Sequence, residues 1–102
     1  MGLLLALSTP YFVYILASQR QGTLYVGVTN NQVRRIHEHR EKLIEGFASQ
    51  HHVTRQVWVD QTGSVEEAIT HEKRLKHWRR EWKFELIEKS NPTWDDLYDR
   101  IL

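Results

Sequence analysis

Three groups of residues have types and spacings that packing alone does not call for together. Tyr14 and Tyr25 lie in two separate apolar runs with ten residues between them, each able to set a phenol hydroxyl at the rim of a core. Arg35 and His39 stand at i and i+4, one turn apart on a single helical face, with Val33 and Ile36 holding Arg35 at the boundary of apolar and exposed surface. Glu72 falls four residues after Ala68 and three before Leu75, on the apolar stripe of a second helix. A buried carboxylate costs several kcal/mol unless it is partnered or protonated. Lys76 at i+4 offers a salt bridge, worth only about 0.3–0.5 kcal/mol if exposed. The other partner is a hard divalent cation, which is often held by one carboxylate together with waters and substrate phosphates. Taken singly, each group has a plainer explanation: core tyrosines, a solvated Arg and His, an ion-paired Glu. Their joint occurrence is the signal.

The elements that must position these groups are short. Tyr11–Ala17 (YFVYILA) is an apolar, β-branched and aromatic run with the character of a buried strand, and Thr23–Val28 (TLYVGV) is a second. The polar Ser18–Gly22 between them predicts an antiparallel hairpin. Gly27 inside the second strand marks a bulge or a close backbone approach. Asn30 and Asn31 are cap residues for a helix over 32–44, and 45–54 is a polar loop. Arg55–Asp60 predicts a third strand, and Ser64-x-x-Glu67 is a capping box opening one long basic helix. Val65, Ala68, Ile69, Leu75 and Trp82 trace the inward stripe of that helix. Phe84–Ile87 is either a short strand or an extended crossover, Asn91-Pro92 is a stop, and a last short helix runs through Trp94, Leu97 and Ile101.

Composition narrows the class. At 102 residues the chain makes one domain, with 1–10 as an N-terminal extension and 11–102 as the folded unit. The Leu-rich start lacks a positive n-region and is too short to cross a bilayer, so neither an anchor nor a membrane partner is expected. No cysteine is present, which excludes disulfides, thiolate metal sites and Cys nucleophiles and fits a cytoplasmic setting. The net charge of +1 conceals a division. Residues 71–83 carry six basic against two acidic groups, a net +4, whereas 85–102 carry a net −3. A basic segment is the footprint of a polyanion partner, and equally of a solvated helix.

Phe12-Val13-Tyr14, ten residues, Tyr25-Val26-Gly27, then Arg35 eight residues later, His39 and a helix with Glu72, together resemble the GIY-YIG nuclease domain. Phe12 and Val13 stand where the family's first motif has Gly and Ile, and only its Tyr is kept. The stretches VYIL, LYVGVTN, RRIHEH, EAITHEKRLKHWRREWK, LIEKSNP and WDDLY resemble the small single-domain bacterial branch of that family, over nearly all of 11–102. Where that branch carries a basic residue and a Tyr between Phe47 and Val53, this chain has Ala48, Ser49, Gln50, His51 and His52.

The resemblance implies an α+β fold: a small three-stranded antiparallel sheet flanked by helices, in the order β-β-α-β-α-α. It implies a metal-dependent endonuclease that hydrolyses phosphodiester bonds in DNA or structured nucleic acid, with a role in DNA repair. The cofactor implied is one divalent cation, Mg2+ or Mn2+, held by Glu72. Arg35 would meet charge on the phosphoryl oxygens, and His39 would bind phosphate or orient a tyrosine. Tyr14, ahead of Tyr25, would activate water. A phenolate at neutral pH then needs its pKa lowered by a margin worth roughly 4 kcal/mol, with Arg35, His39 and the metal as the positive groups at hand. Asn91 matches a family active-site Asn or caps the last helix. Gly27 would admit the substrate backbone, and Arg34, Arg40, Lys73, Lys76, Arg79 and Arg80 would attract phosphates. Trp78 and Trp82 either stack on unpaired bases or, as helical spacing more often means, belong to the core. The partner is nucleic acid, DNA first, with a homodimer or a protein partner supplying affinity that so small a domain lacks. The alternative is a catalytically weak or inactive nucleic-acid-binding module of the same fold.

Overall fold

The computed structural model describes residues 10–41 and 52–101. The predicted N-terminal extension, the end of the first helix beyond residue 41 and the loop through residue 51 lie outside the described residues. Three strands, β1 (Tyr11–Ala17), β2 (Leu24–Thr29) and β3 (Arg55–Thr62), form one antiparallel sheet in the order β2-β1-β3. Among the described residues four helices accompany it: α1 (Gln32–Arg40), α2 (Val65–His77), α3 (Arg80–Ser90) and the single turn α4 (Tyr98–Ile101). The three-stranded α+β fold read from the sequence is therefore the observed one.

β1 is central and buried on both faces, which is why its sequence is an unbroken apolar run. Its alternation divides the interior. Val13, Ile15 and Ala17 meet Val26, Val57, Ala68, Leu75, Ile87 and Trp94, whereas Tyr14 and Leu16 meet Ile36, Val53 and Tyr98 on the other face. A shift of register between Ile15 and Leu16 places Ile15 opposite Trp58 but Leu16 opposite Gln56. Val57 is the extra residue, so Val57 and Trp58 both join the first cluster.

The predicted caps are in place. Asn31 accepts from the Arg34 amide at 3.0 Å and Ser64 from the Glu67 amide at 3.1 Å. Glu67 reaches back to the Gly63 amide, one residue earlier than in the usual capping box.

Two expectations need correction. The single long basic helix is two helices, because Trp78 (φ −65°, ψ 149°) and Arg79 (φ −59°, ψ 150°) are both extended. Phe84–Ile87 is neither strand nor crossover but the middle of α3. No Gly or Pro marks the break. It redirects α3 so that Ile87 and Phe84 pack into the first cluster, a tertiary gain that overrides local propensity. The same redirection takes Trp82 off the inward stripe and leaves it 49% exposed, while Ile69 is also exposed.

Asn91 ends α3 as its C-cap. Its side-chain amide donates to the carbonyls of Val57 (3.0 Å) and Asp95 (2.9 Å) and accepts from the Asp95 amide (3.0 Å). Buried and fully engaged, it has no group left for a substrate, so the active-site reading of Asn91 gives way to a structural one. It caps the end of α3, not the start of the last helix.

Candidate functional site

Cross-strand register sets two phenols side by side. Tyr14 on β1 pairs with Gly27 on β2, and Tyr25, two residues before Gly27, therefore shares its face. The ring centroids are 6.4 Å apart. Tyr14 is fully buried and Tyr25 half-buried. Gly27 makes this possible: a Cβ there would lie 2.5 Å from Cζ and the hydroxyl of Tyr14 and 3.0 Å from Cε1 of Tyr25. The glycine is thus buried under the Tyr14 ring, and its substrate-approach reading is replaced by one of internal packing.

Helix α1 presents Ile36 and His39 inward. The His39 ring sits 6.0 Å from that of Tyr14 and 5.4 Å from that of Tyr25, closing a three-ring cluster. Its Nε2 is 3.1 Å from the Tyr14 hydroxyl. Burial, and then the nearby Arg35 cation, push the His39 pKa below its ordinary value, against a smaller opposing effect of Glu38. The shift favours the neutral imidazole, whose Nε2 accepts from the phenol in one tautomer and donates to it in the other.

Tyr14 moves the other way. Burial and the Tyr25 phenol raise its pKa far above the ordinary value; Arg35 opposes and Glu72 adds to the rise. The expectation that neighbouring cations make Tyr14 a phenolate is overturned among the protein's own groups, because burial outweighs the one guanidinium.

Arg35 is half-buried on α1, one turn before His39. Its Nε lies 3.5 Å from a carboxylate oxygen of Glu38, yet it is shielded from solvent and makes no hydrogen bond among the described residues. The guanidinium charge bears on Tyr14, and its unpartnered Nε is able to donate to an oxyanion. Glu38 was not singled out from sequence, although its i+3 spacing from Arg35 is the signal that finds it.

Glu72 on α2 is half-buried and paired with Lys76 Nζ at 3.6 Å, and its charge bears on Tyr14. The described residues hold no group of three or more His, Asp or Glu side chains able to enclose a metal. A lone carboxylate fits an ion that keeps several waters and takes its remaining ligands from a substrate, as magnesium does. A cleft of about 490 Å3 between β3 and α2, lined by Asp60, Glu67, His71 and Arg74 among others, contains none of these five residues.

The predicted phosphate contacts divide. Arg34, Lys73, Lys76 and Arg79 are exposed. Arg40 instead pairs with Asp96 and lies over the Tyr98 ring at 4.7 Å, fastening α4 to α1. Arg80 donates to the carbonyls of Gln21 (2.8 Å) and Gly22 (2.6 Å) and lies over Phe84, fastening the β1–β2 turn to α3. Both guanidiniums are committed within the fold, which corrects their assignment as phosphate ligands.

Comparison with known proteins agrees with this fold. A family model described as the GIY-YIG catalytic domain matches residues 10–85. The solution NMR structure of the UPF0213 protein BH0048 from Bacillus halodurans is similar, with a TM-score of 0.53 and 27% identity. That match covers 85% of this chain and 92% of the other. No curated protein matches the chain at a significant level.

Proposed function

Because the chain belongs to the GIY-YIG nuclease family, we propose that it is a metal-dependent endonuclease acting on phosphodiester bonds in DNA or structured nucleic acid. The observation that carries this reading is the buried 3.1 Å contact between the Tyr14 hydroxyl and His39 Nε2, beside the half-exposed Tyr25 and Arg35. A module that only binds needs surface charge and has no use for a proton acceptor behind a buried phenol.

With the His39 proton on Nδ1, the attacking water gives its proton to the Tyr14 oxygen as Tyr14 passes its own to His39 Nε2, so no free phenolate has to form. The hydroxide so generated forms the new bond to phosphorus, and the bond to the leaving oxygen breaks. Tyr25, closer to solvent, orients the water. Arg35 meets the charge that grows on the phosphoryl oxygens, where its planar fork spans two acceptors. Glu72 is the residue that would hold a divalent cation, whose chemistry when bound is to offset charge on a non-bridging oxygen and at the leaving group. The exposed Arg34, Lys73, Lys76 and Arg79 supply sequence-independent attraction for the backbone.

The test is cleavage of labelled single-stranded, duplex, flap, branched and structured RNA substrates, with magnesium, manganese or EDTA. Wild type should cut at least one substrate in metal, and Glu72→Ala, Arg35→Ala and Tyr14→Phe should not. Melting temperatures of the Glu72 and Arg35 variants should stay within a few degrees of wild type. Cutting that survives Glu72→Ala, or no cutting with any metal, refutes the proposal.

A further inference from the structure

Trp82 is half exposed on a protein whose Trp58 and Trp94 are buried. It does not stand alone. The extended residues between α2 and α3 turn the chain so that Trp78 and Trp82 face each other edge to face, with centroids 6.1 Å apart and planes at 84°. Trp78 is packed against the main core, so it fixes its neighbour from below. The pair walls an open cleft of about 410 Å3 completed by Glu85, Leu86 and Lys89. The Arg79 guanidinium lies over the Trp82 ring at 5.7 Å.

A rigid exposed indole with cations at its margin has the two parts of a single-strand binding platform: a flat π-face for a base and positive charge for the adjoining phosphate. Around the ring Arg79 and Lys89 stand against Glu85, and the segment leading into it carries the exposed Lys73 and Arg74. A phosphodiester strand is complementary to that bias. Position agrees as well. Glu72 lies on α2, the helix that leads into the pair, six residues before Trp78.

We infer that the Trp78–Trp82 cleft is a stacking site for an unpaired base of the strand engaged at Glu72. The substrate class is then nucleic acid with single-stranded or extruded nucleotides beside the bond to be cut. This deepens the nuclease reading and rests on it for the identity of the strand; the stacking itself requires no catalysis.

The test is tryptophan fluorescence in EDTA, titrating the full chain with a short oligothymidylate and, separately, with a blunt duplex. Trp58 and Trp94 are buried, so quenching reports on Trp78 and Trp82. Oligothymidylate should quench the emission, and Trp82→Ala should weaken its binding by ~5- to 100-fold. Trp82→Phe should recover most of the loss, and duplex affinity should not change. Equal affinity in Trp82→Ala, or binding without quenching, overturns the stacking site. So does a wild-type dimer in sedimentation that becomes a monomer in Trp82→Ala, since the cleft then belongs to a second copy. Cleavage assays separate the two proposals. Metal-dependent cutting that is indifferent to Trp82 would leave the nuclease and remove the stacking site. Trp82-dependent binding with no cutting under any metal would do the reverse.

Discussion

Gly27→Ala places one methyl group at the centre of the candidate site. The backbone at Gly27 is outside the left-handed region, so the cost is spatial: the new Cβ meets Tyr14 Cζ and its hydroxyl oxygen at 2.5 Å. A fully buried ring cannot swing aside without disturbing Leu16, Ile36 and Val53 around it. Overpacking of this kind costs about 1–3 kcal/mol, and for a domain this size each kcal/mol lowers the melting temperature by roughly 4–8 °C. Leu at position 14 ends short of the positions of Cζ and the hydroxyl, so in a Tyr14→Leu background the two 2.5 Å contacts are gone and only the 3.0 Å approach to Tyr25 Cε1 remains. The Gly27→Ala penalty should then shrink, offset by about 0.5–1 kcal/mol from the lower entropy of the unfolded chain. Urea unfolding of wild type, both single variants and the double variant, followed by far-UV circular dichroism, measures the coupling. An equal Gly27→Ala penalty in both backgrounds, or none in wild type, refutes the packing argument.

His39, with its pKa lowered from 6.5, makes the unfolded state take up protons first, so stability present above about pH 6.5 is lost as the pH falls below it. Tyr14, raised from 10.0, makes the unfolded state ionise first, so stability is lost as the pH rises above about 10. Urea midpoints across that range should plateau between the two limits, and His39→Gln should flatten the acid side. Asn91→Ala leaves the Val57 carbonyl and the Asp95 amide without their partner and should cost about 1–3 kcal/mol, read as a lower urea midpoint, while cutting per folded molecule at low temperature is unchanged. Arg80→Gln removes two bonds to the Gln21 and Gly22 carbonyls and should cost about 1 kcal/mol or less at that exposed turn. Its salt dependence of oligonucleotide binding should match wild type, whereas loss of a true phosphate contact lowers the slope by about 1.

The parts of the fold that were legible in the sequence are those where one local rule decides. β1 reads as a double-faced strand because seven apolar residues run without interruption, and Asn31 and Ser64 read as caps because their side chains satisfy amides three residues on. The break at Trp78 has no such local mark. It exists because Ile87 and Phe84 reach the core only if α3 changes direction, which depends on the sheet's position and not on neighbouring residues. Arg40 and Arg80 show the same limit. A basic residue on a helix has one appearance in sequence, and only the fold reveals whether Asp96 or a turn carbonyl already occupies its guanidinium. Gly27 reads as a place of close approach, but the approaching group is Tyr14, its direct partner across the β1–β2 pair, and only the register shows this.

The opposite displacement of two pKa values constrains the chemistry more tightly than either alone. A raised Tyr14 would be a poor base if it had to give up its proton to solvent before the reaction began. A lowered His39 would be a poor base if it had to reach the water itself, because its buried Nε2 is taken up by the phenol. In the proposed reaction the 3.1 Å contact would let them correct each other: a neutral imidazole with its proton on Nδ1 would accept while the phenol donates and receives. Arg35 then has a double effect. It disfavours the imidazolium, which in the proposed reaction would return the proton, and it would attract the phosphate of a substrate. Glu38 opposes both effects by pairing with Arg35 and by favouring charged His39.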